Sequence, residues 1–172
     1  YLEHLFNGSV TQQFEAFSAG FQAVAGGVCV CACGVLRYGA GDALKLFNAH
    51  ELEQLVCGSH ELDFDAMQRH SIYDDGYDAE HPVITHFWEI VHGYSEEEKR
   101  ALLTFCTGSD RAPIRGLGSM QFVITRGGPD SDRLPVAHTC FNHLLIPDYP
   151  TKEKLADKLR FAIKHAHGFG ML

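Results

Sequence analysis

Cys140 and His138 are the side chains in this sequence best suited to nucleophilic chemistry, because a thiol and an imidazole stand two residues apart. A cysteine attacks a carbonyl as its thiolate, and a nearby imidazole or cation favours that form. In an extended segment the two side chains would share one face, close enough to interact. Arg133 adds a positive charge nearby. These residues predict either a reactive thiolate or a small buried thiol that only packs, with His138 as its structural neighbour.

A cysteine-protease site fits the sequence less well. Such a site also needs an imidazole and an amide or carboxylate brought in from elsewhere in the fold. His143, His86 and Asn142 supply those groups, but no protease signature surrounds Cys140. The sequence therefore gives proteolysis little support.

Three alternating cysteines, Cys29, Cys31 and Cys33, raise the question of a metal site. Structural zinc needs ligands that converge tetrahedrally, and His50 is a candidate for the fourth. Alternating residues on one strand face fit that requirement poorly. We therefore predict a loop, rich in Gly and Ala, over residues 26–43, and no metal site.

The composition is that of a globular chain with an acidic balance. It has 172 residues, 45% of them hydrophobic, and 14 basic against 22 acidic side chains give a net charge of −8. No basic face dominates, so we expect no nucleic-acid binding. No apolar run reaches membrane-spanning length, and nothing at the start resembles a secretion signal. We expect reduced thiols in the cytoplasm or the nucleus, and Tyr1 in place of Met suggests the tail of a longer polypeptide.

The spacing of apolar residues predicts an α+β fold. Helices are expected over 9–25, from Asn48 to Gly58, around 64–69, from Pro82 to Gly93, from Ser95 to Thr107, and over 152–166. Asn48 with Glu51 and Ser95 with Glu98 have the spacing of side-chain caps at the starts of their helices. Strands are expected near 120–125 and 141–146. The side chains expected to face a core on the first two helices are Phe14, Phe17, Phe21, Leu52, Leu55 and Val56.

Several motifs resemble the HECT domain of ubiquitin ligases. The segment Leu134–Asn142, which contains Cys140, looks like the active-site signature of that family. Further stretches match the family in the same order, namely Leu55–Ser59, Phe87–Trp88, Thr107–Pro113 and Gly168–Leu172. The sequences of Asp110–Pro113 and Gly168–Leu172 are similar to those in the branch that contains the papillomavirus-oncoprotein-associated ligase. The likeness covers nearly the whole chain except about 26–43.

The resemblance implies a two-lobed architecture. Residues 1–57 would be the end of a mainly helical N-lobe, and 58–60 a hinge. Residues 61–172 would be a small α/β C-lobe, with a short sheet flanked by helices and the catalytic cysteine. The part of the N-lobe that binds a ubiquitin-conjugating enzyme would lie mostly upstream, so the aromatic face of 9–25 should be partly uncovered.

The resemblance also implies two acyl transfers through Cys140. Its thiolate would accept ubiquitin from the conjugating enzyme as a thioester, and a lysine amine of a protein substrate would then take it. By the same likeness, His138 and Thr139 orient Cys140 and the bound thioester, and Arg133 gives electrostatic support. Phe169 would assist transfer to lysine by docking on the N-lobe. Such an exchange needs positioning and charge stabilisation, and neither a metal nor an organic cofactor.

Other interpretations stay open at the level of sequence. The chain could be a non-catalytic ubiquitin-binding module from a truncated protein of this family, or a cysteine-rich metal-binding domain. Arg133 could pair only with Asp130 or Asp132 on the surface. His138 could simply be packed.

Overall fold

The fold combines helices with a small mixed sheet, which confirms the predicted α+β class. The computed structural model describes residues 11–25, 29–31, 34–36 and 46–165. The described helices are α1 Thr11–Ala25, α2 Ala49–Cys57, α3 Phe64–His70, α4 Pro82–His92, α5 Glu96–Thr107 and α6 Lys152–His165. The described strands are β1 Cys29–Cys31, β2 Gly34–Leu36, β3 Ile72–Asp74, β4 Val123–Arg126, β5 Val136–His138 and β6 His143–Ile146. None of these helices has the length and apolarity needed to cross a membrane.

Contacts within the chain divide it into two compact units, and the first is Tyr1–Glu53. It contains α1 and an antiparallel pair of strands, β1 and β2. These strands correct the loop predicted over 26–43, because the directly paired Val30 and Val35 have the β-branched shape that favours strands. The core face predicted for α1 is exposed where it is described, since Phe14 and Phe17 are 66% and 67% exposed.

Helix α2 crosses the boundary between the units and buries none of its residues. Leu55 and Val56 were predicted to face a core, and that prediction is wrong because both side chains are exposed. An amphipathic spacing identifies the apolar face of a helix, but it cannot tell whether this chain supplies anything to cover that face.

The second unit, Gln54–Leu172, is built on a four-stranded sheet with the order β3–β4–β6–β5. Strands β3 and β6 run parallel to β4, whereas β5 runs antiparallel to β6. The two strands predicted from the sequence are β4 and β6, which begin at Val123 and His143. The sequence missed β3 and β5 because each is only three residues long, too short to display alternation.

Alternate residues of β4 and β6 join helix residues in one hydrophobic core. Ile124, Leu144 and Ile146 are fully buried, while the residues between them on β6 are half-buried. The other largest buried side chains are Met67, Ile84, Phe87, Leu102, Leu103, Leu117, Phe122, Leu155 and Leu159. The core therefore draws on α3, α4, α5 and α6 as well as the sheet.

Helices begin where side-chain caps were predicted. Ser95 Oγ accepts a hydrogen bond from the Glu98 N–H at 3.2 Å, and Glu98 Oε2 accepts one from the Ser95 N–H at 3.0 Å. This reciprocal capping box starts α5. The bond from the Ser95 backbone lowers the pKa of the Glu98 carboxyl. Asn48 and Glu51 make the same reciprocal pair before α2.

Gly58 ends α2 in a conformation that requires glycine. Its φ is +87°, and a β-carbon at this position would lie 2.3 Å from the carbonyl oxygen of Ala112. The next residue, Ser59, exchanges two backbone hydrogen bonds with Ala112, at 2.8 and 2.9 Å. The Arg100 guanidinium donates to the His60 carbonyl at 3.1 Å. The chain that follows α2 is therefore fastened to the second unit from Ser59 onward.

Candidate active site

Cys140 lies exposed at the surface, on a 3-10 turn that joins β5 to β6. The turn spans Thr139–Phe141, so the extended chain ends at His138. Phe141 is 74% exposed and Thr139 is half-buried. The thiol is therefore accessible to a partner molecule, and the alternative of a small thiol sealed in the core is wrong.

Asn142 ends this turn in the left-handed region, with φ 48° and ψ 44°. Asparagine adopts this region more readily than most residues other than glycine. The Asn142 N–H donates to the Thr139 carbonyl at 3.3 Å, and its carbonyl accepts from the Val123 N–H at 3.0 Å. The first bond closes the turn, and the second attaches the turn that bears Cys140 to β4.

His138 is exposed and faces its cross-strand partner His143, with the two ring centroids 5.9 Å apart. Nε2 of His143 lies 2.8 Å from Oγ1 of the buried Thr125, a hydrogen bond whose donor depends on the tautomer. Within the described chain no hydrogen bond joins the His138 ring to Cys140 Sγ. The two side chains were expected to share one face if the segment were extended, and that condition is not met, because the strand ends at His138 and a 3-10 turn follows.

Arg133 lies exposed in the loop that leads into β5. The acidic side chains beside it in sequence are already paired, Asp130 with Lys154 at 2.7 Å and Asp132 with Lys158 at 3.3 Å. Among the described residues, no carboxylate pairs with the Arg133 guanidinium. The alternative that Arg133 merely pairs with Asp130 or Asp132 is therefore wrong.

The remaining predicted site residue, Phe169, lies outside the described residues. Cys29 and Cys31 lie in β1, and Cys33 falls outside the described chain. Within the described chain, no cluster of three or more His, Cys, Asp or Glu side chains is arranged to hold a metal ion. Two further thiols differ in access, since Cys57 is exposed and Cys106 is buried. Burial raises the pKa of the Cys106 thiol, which makes it a poor nucleophile.

A groove of about 610 Å³ lies between α5 and α6, and Cys140 is not among its lining residues. Its lining includes Tyr94, Ala101 and Ile163, and none of the predicted site residues. The Tyr94 ring is buried beneath the Arg160 guanidinium, 5.5 Å from the ring centroid. Cys140 thus stands on an exposed turn in the part of the chain that the structure describes, where a partner can bring its own reacting group to the surface.

The open edge of β5 suits a partner with an extended tail. In the described sheet β5 pairs with β6 on one side and has no strand on the other. An edge strand of this kind can hydrogen-bond an extended peptide laid alongside. Such a peptide would bring its terminal carbonyl toward the thiol that follows β5. The arrangement therefore fits acyl transfer to sulfur from a protein tail.

Sequence reasoning missed residues that hold this site from a distance. Tyr149 is buried, and its hydroxyl donates a hydrogen bond to the Arg133 carbonyl. Lys154 and Lys158 contact the same loop from α6. The sequence gives one indication of these contacts. The two lysines stand four residues apart on one helix face, and a loop with two acidic residues could pack against that face.

Comparison with known proteins assigns the chain to a family. The HECT-domain (ubiquitin-transferase) family model matches residues 1–172. The chain is 41% identical over 172 residues to the human "Probable E3 ubiquitin-protein ligase HERC4", covering 100% of this chain and 15% of the relative. It is 41% identical over 171 residues to "Probable E3 ubiquitin-protein ligase HECTD2" of Mus musculus, covering 99% of this chain and 20% of that protein.

A fungal relative is similar over the same span. "Probable E3 ubiquitin-protein ligase HUL4" of Eremothecium gossypii is 37% identical over 172 residues, covering 99% of this chain and 19% of the relative. The chain thus spans between 15% and 20% of the length of these relatives. The exposed thiol at the edge of an α+β sheet therefore belongs to a protein of the HECT-domain family, as the sequence motifs predicted.

Proposed function

We propose that this chain is the thioester-forming part of a HECT-type E3 ubiquitin ligase. The observation that carries the proposal is the exposure of Cys140 on the turn at the open edge of the sheet, in a chain of this family. Its partners would be ubiquitin, a ubiquitin-conjugating enzyme whose dock lies mostly outside this chain, and a protein substrate.

The first transfer forms the bond between Cys140 and ubiquitin. The Cys140 thiolate attacks the thioester carbonyl of the last glycine of ubiquitin, and the bond to the cysteine of the conjugating enzyme breaks. The conjugating-enzyme thiolate leaves with the electron pair. One thioester replaces another of nearly equal energy, so the protein need only orient the groups and stabilise a short-lived oxyanion.

The second transfer releases ubiquitin to a substrate. A neutral lysine amine attacks the carbonyl of the ubiquitin–Cys140 thioester, an isopeptide bond forms, and the Cys140 thiolate leaves while the amine nitrogen gives up a proton. His138 and Thr139, which flank the turn, would orient the sulfur and the bound thioester. Arg133, which has no acidic partner in the described chain, would favour the negative charge that develops. Phe169 would assist this step by docking on the N-lobe.

The domain assignment is part of the proposal. Residues 1–57 would end the N-lobe, 58–60 would form the hinge, and 61–172 would be the C-lobe. The backbone of Gly58 supports a joint at this point, because glycine absorbs rotations that other residues cannot. The hydrogen bonds of Ser59 and His60 favour a pivot on the Gly58 side of this segment.

Two finer assignments also belong to the proposal. The sequences of Asp110–Pro113 and Gly168–Leu172 favour the branch of the papillomavirus-oncoprotein-associated ligase. A phylogenetic tree of complete family members would test this assignment.

A cytoplasmic or nuclear location is supported by Cys57, Cys106 and Cys140, which are free thiols of the kind that reducing compartments maintain. Imaging of the tagged protein would test the location.

The direct test uses ubiquitin with a small-thiol thioester at its C-terminal glycine, which bypasses the conjugating enzyme. The chain should form an adduct that a reductant releases, and Cys140→Ala should abolish it. Cys140→Ser should give a reductant-resistant oxyester, since oxygen replaces sulfur in the linkage. Cys57→Ala is the matched control, because it removes another exposed thiol, and it should leave the adduct unchanged. Ubiquitin binding without any adduct would instead support the non-catalytic module.

A further inference from the structure

The loop 127–135 connects β4 to β5 and so leads directly into the strand and turn that present Cys140. A nine-residue surface loop that starts with two glycines has wide conformational freedom unless the fold restrains it. The loop sets where the chain enters β5, which pairs with a strand on one side only. The restraints on the loop therefore bear on the position of the thiol.

The first part of the loop is held by the segment after β6. The Gly127 N–H donates to the Ile146 carbonyl at 2.7 Å, and the Gly128 carbonyl accepts from the Asp148 N–H at 3.0 Å. A β-carbon on Gly127 would lie 3.2 Å from the backbone nitrogen of Pro147. The two backbones therefore run in close contact at this end.

The middle of the loop is held by two lysines of α6. Lys154 Nζ lies 2.7 Å from Asp130 Oδ1, and Lys158 Nζ lies 3.3 Å from Asp132 Oδ1. Lys158 also donates to the Asp132 carbonyl at 2.9 Å. Lys154 and Lys158 stand four residues apart, which places both on one face of α6. Each lysine can thus reach one acid, and the loop is attached at two points to a helix whose Leu155 and Leu159 are buried in the core.

The last part of the loop is held by a buried phenol. Tyr149 is 2% exposed, and its hydroxyl donates to the carbonyl of Arg133, immediately before Leu134 and Pro135. Burial and the nearby Asp130 and Asp132 carboxylates raise the pKa of Tyr149 to about 12. The phenol therefore keeps its proton and remains a donor at neutral pH.

We propose that Tyr149, Lys154 and Lys158 are positioning residues for acyl transfer at Cys140, acting through the loop 127–135. The inference rests on the proposed function. Tyr149 fixes the position of the Arg133 backbone through its hydrogen bond to the carbonyl. The lysines keep Asp130 and Asp132 away from the Arg133 guanidinium. Together they hold β5 and the Cys140 turn in one arrangement and leave the Arg133 charge available to the reaction. They need not touch the partner or the reacting atoms.

The first experiment compares Tyr149→Phe with Tyr73→Phe. Both changes remove one phenol hydroxyl from a hydrogen bond, and the Tyr73 hydroxyl accepts from Trp88 Nε1 at 2.9 Å on the opposite edge of the sheet. Ubiquitin with a small-thiol thioester is the donor, in single turnover with the full chain. We expect the maximal rate of adduct formation to fall about 3- to 10-fold in Tyr149→Phe. The half-saturating donor concentration should change by less than about twofold.

The control separates positioning from stability. Tyr73→Phe should lower the thermal midpoint by a similar amount but keep the maximal rate per folded molecule. The alkylation rate of Cys140 by iodoacetamide, measured relative to the exposed Cys57 in the same sample, should also change in Tyr149→Phe alone. Equal rates in the two variants would overturn the inference. Absence of any adduct in the unaltered chain would overturn the proposed function itself.

A charge exchange tests the lysines. Lys158→Asp should slow adduct formation, and adding Asp132→Lys should restore part of the lost rate, because the side-chain ion pair is re-formed with its signs reversed while the bond to the carbonyl of residue 132 stays lost. Lys152→Asp is the matched control, since Lys152 lies on the same helix and pairs at 2.8 Å with Glu89, away from the loop. It should leave the rate unchanged. A double exchange no faster than Lys158→Asp alone would count against the lysine part of the inference.

Discussion

Environment distinguishes the cysteines whose side chains are described. Cys140 and Cys57 are exposed, whereas Cys106 is fully buried within the core beside α5 neighbours such as Leu102 and Leu103. A buried thiolate would lack water and any compensating charge, which is why burial raises the pKa of Cys106. Reactivity should therefore follow position in the fold and not residue type.

This difference predicts the pattern of alkylation. Under native conditions iodoacetamide should modify Cys140 and Cys57 readily, with Cys106 reacting at least about 100-fold more slowly, because it must wait for local opening. Mass spectrometry of peptides after timed quenching measures all three rates in one sample. Denaturant should bring Cys106 to the rate of the others. Equal native rates at Cys106 and Cys57 would mean that the core around α5 is open.

At the scale of elements, the segments between helices and strands set the geometry. Asn142 ends the Cys140 turn in the left-handed region, and Gly58 ends α2 there. In each case a backbone hydrogen bond ties the segment to a distant strand or loop, Val123 for Asn142 and Ala112 for the residue after Gly58. At Gly58 the positive φ coincides with a close approach to the Ala112 carbonyl, so this position tolerates no side chain.

Two glycine-to-alanine variants separate the cost of backbone strain at positive φ from the cost of a steric clash with the added β-carbon. Gly76 has φ +89° with nothing within 4 Å of an added β-carbon, so Gly76→Ala should lower the free energy of unfolding by about 1–2 kcal/mol from backbone strain alone. Gly58→Ala has the same strain and adds the contact at 2.3 Å with the Ala112 carbonyl. Gly58→Ala should therefore lower the free energy of unfolding by about 1–3 kcal/mol more than Gly76→Ala does. Urea denaturation measures both, and equal losses would show that the Ala112 segment moves away freely.

At the scale of the whole chain, burial is concentrated in the second unit. Every residue of the hydrophobic core in the described chain lies between Phe64 and Ile163. By contrast, Phe14 and Phe17 of α1 are exposed, and so are Leu55 and Val56 of α2. The unit Gln54–Leu172 therefore has its own core, which is the usual requirement for a domain that folds alone.

A truncated chain tests that independence. The fragment 54–172 should unfold cooperatively, with a thermal midpoint within about 4 °C of the core transition in the full chain, a shift that corresponds to less than about 1 kcal/mol. Circular dichroism at 222 nm and the fluorescence of Trp88, which is buried in this core, should report the same transition. A broad transition, or midpoints that differ between the two signals, would mean that the first unit contributes to this core.

The sequence predicted features that depend on residues close together along the chain. The capping box of Ser95 with Glu98 and the pair of Asn48 with Glu51 were predicted because a cap involves residues three apart. The motifs around Cys140 identified the family for a similar reason, since each is a short contiguous stretch. A helix cap and a short sequence motif each depend only on residues within one segment of the chain.

The tertiary structure decided what depends on distant partners. Nothing near Ile72–Asp74 or Val136–His138 reveals that these residues pair with β4 and β6, because a three-residue strand is defined by its neighbours. The same holds for the exposure of Cys140 and for the Tyr149 hydroxyl on Arg133, 16 residues away in sequence. By itself the sequence determined the helices, their caps and the family. Burial, strand order and the restraints on the thiol arise only when segments far apart in sequence pack together.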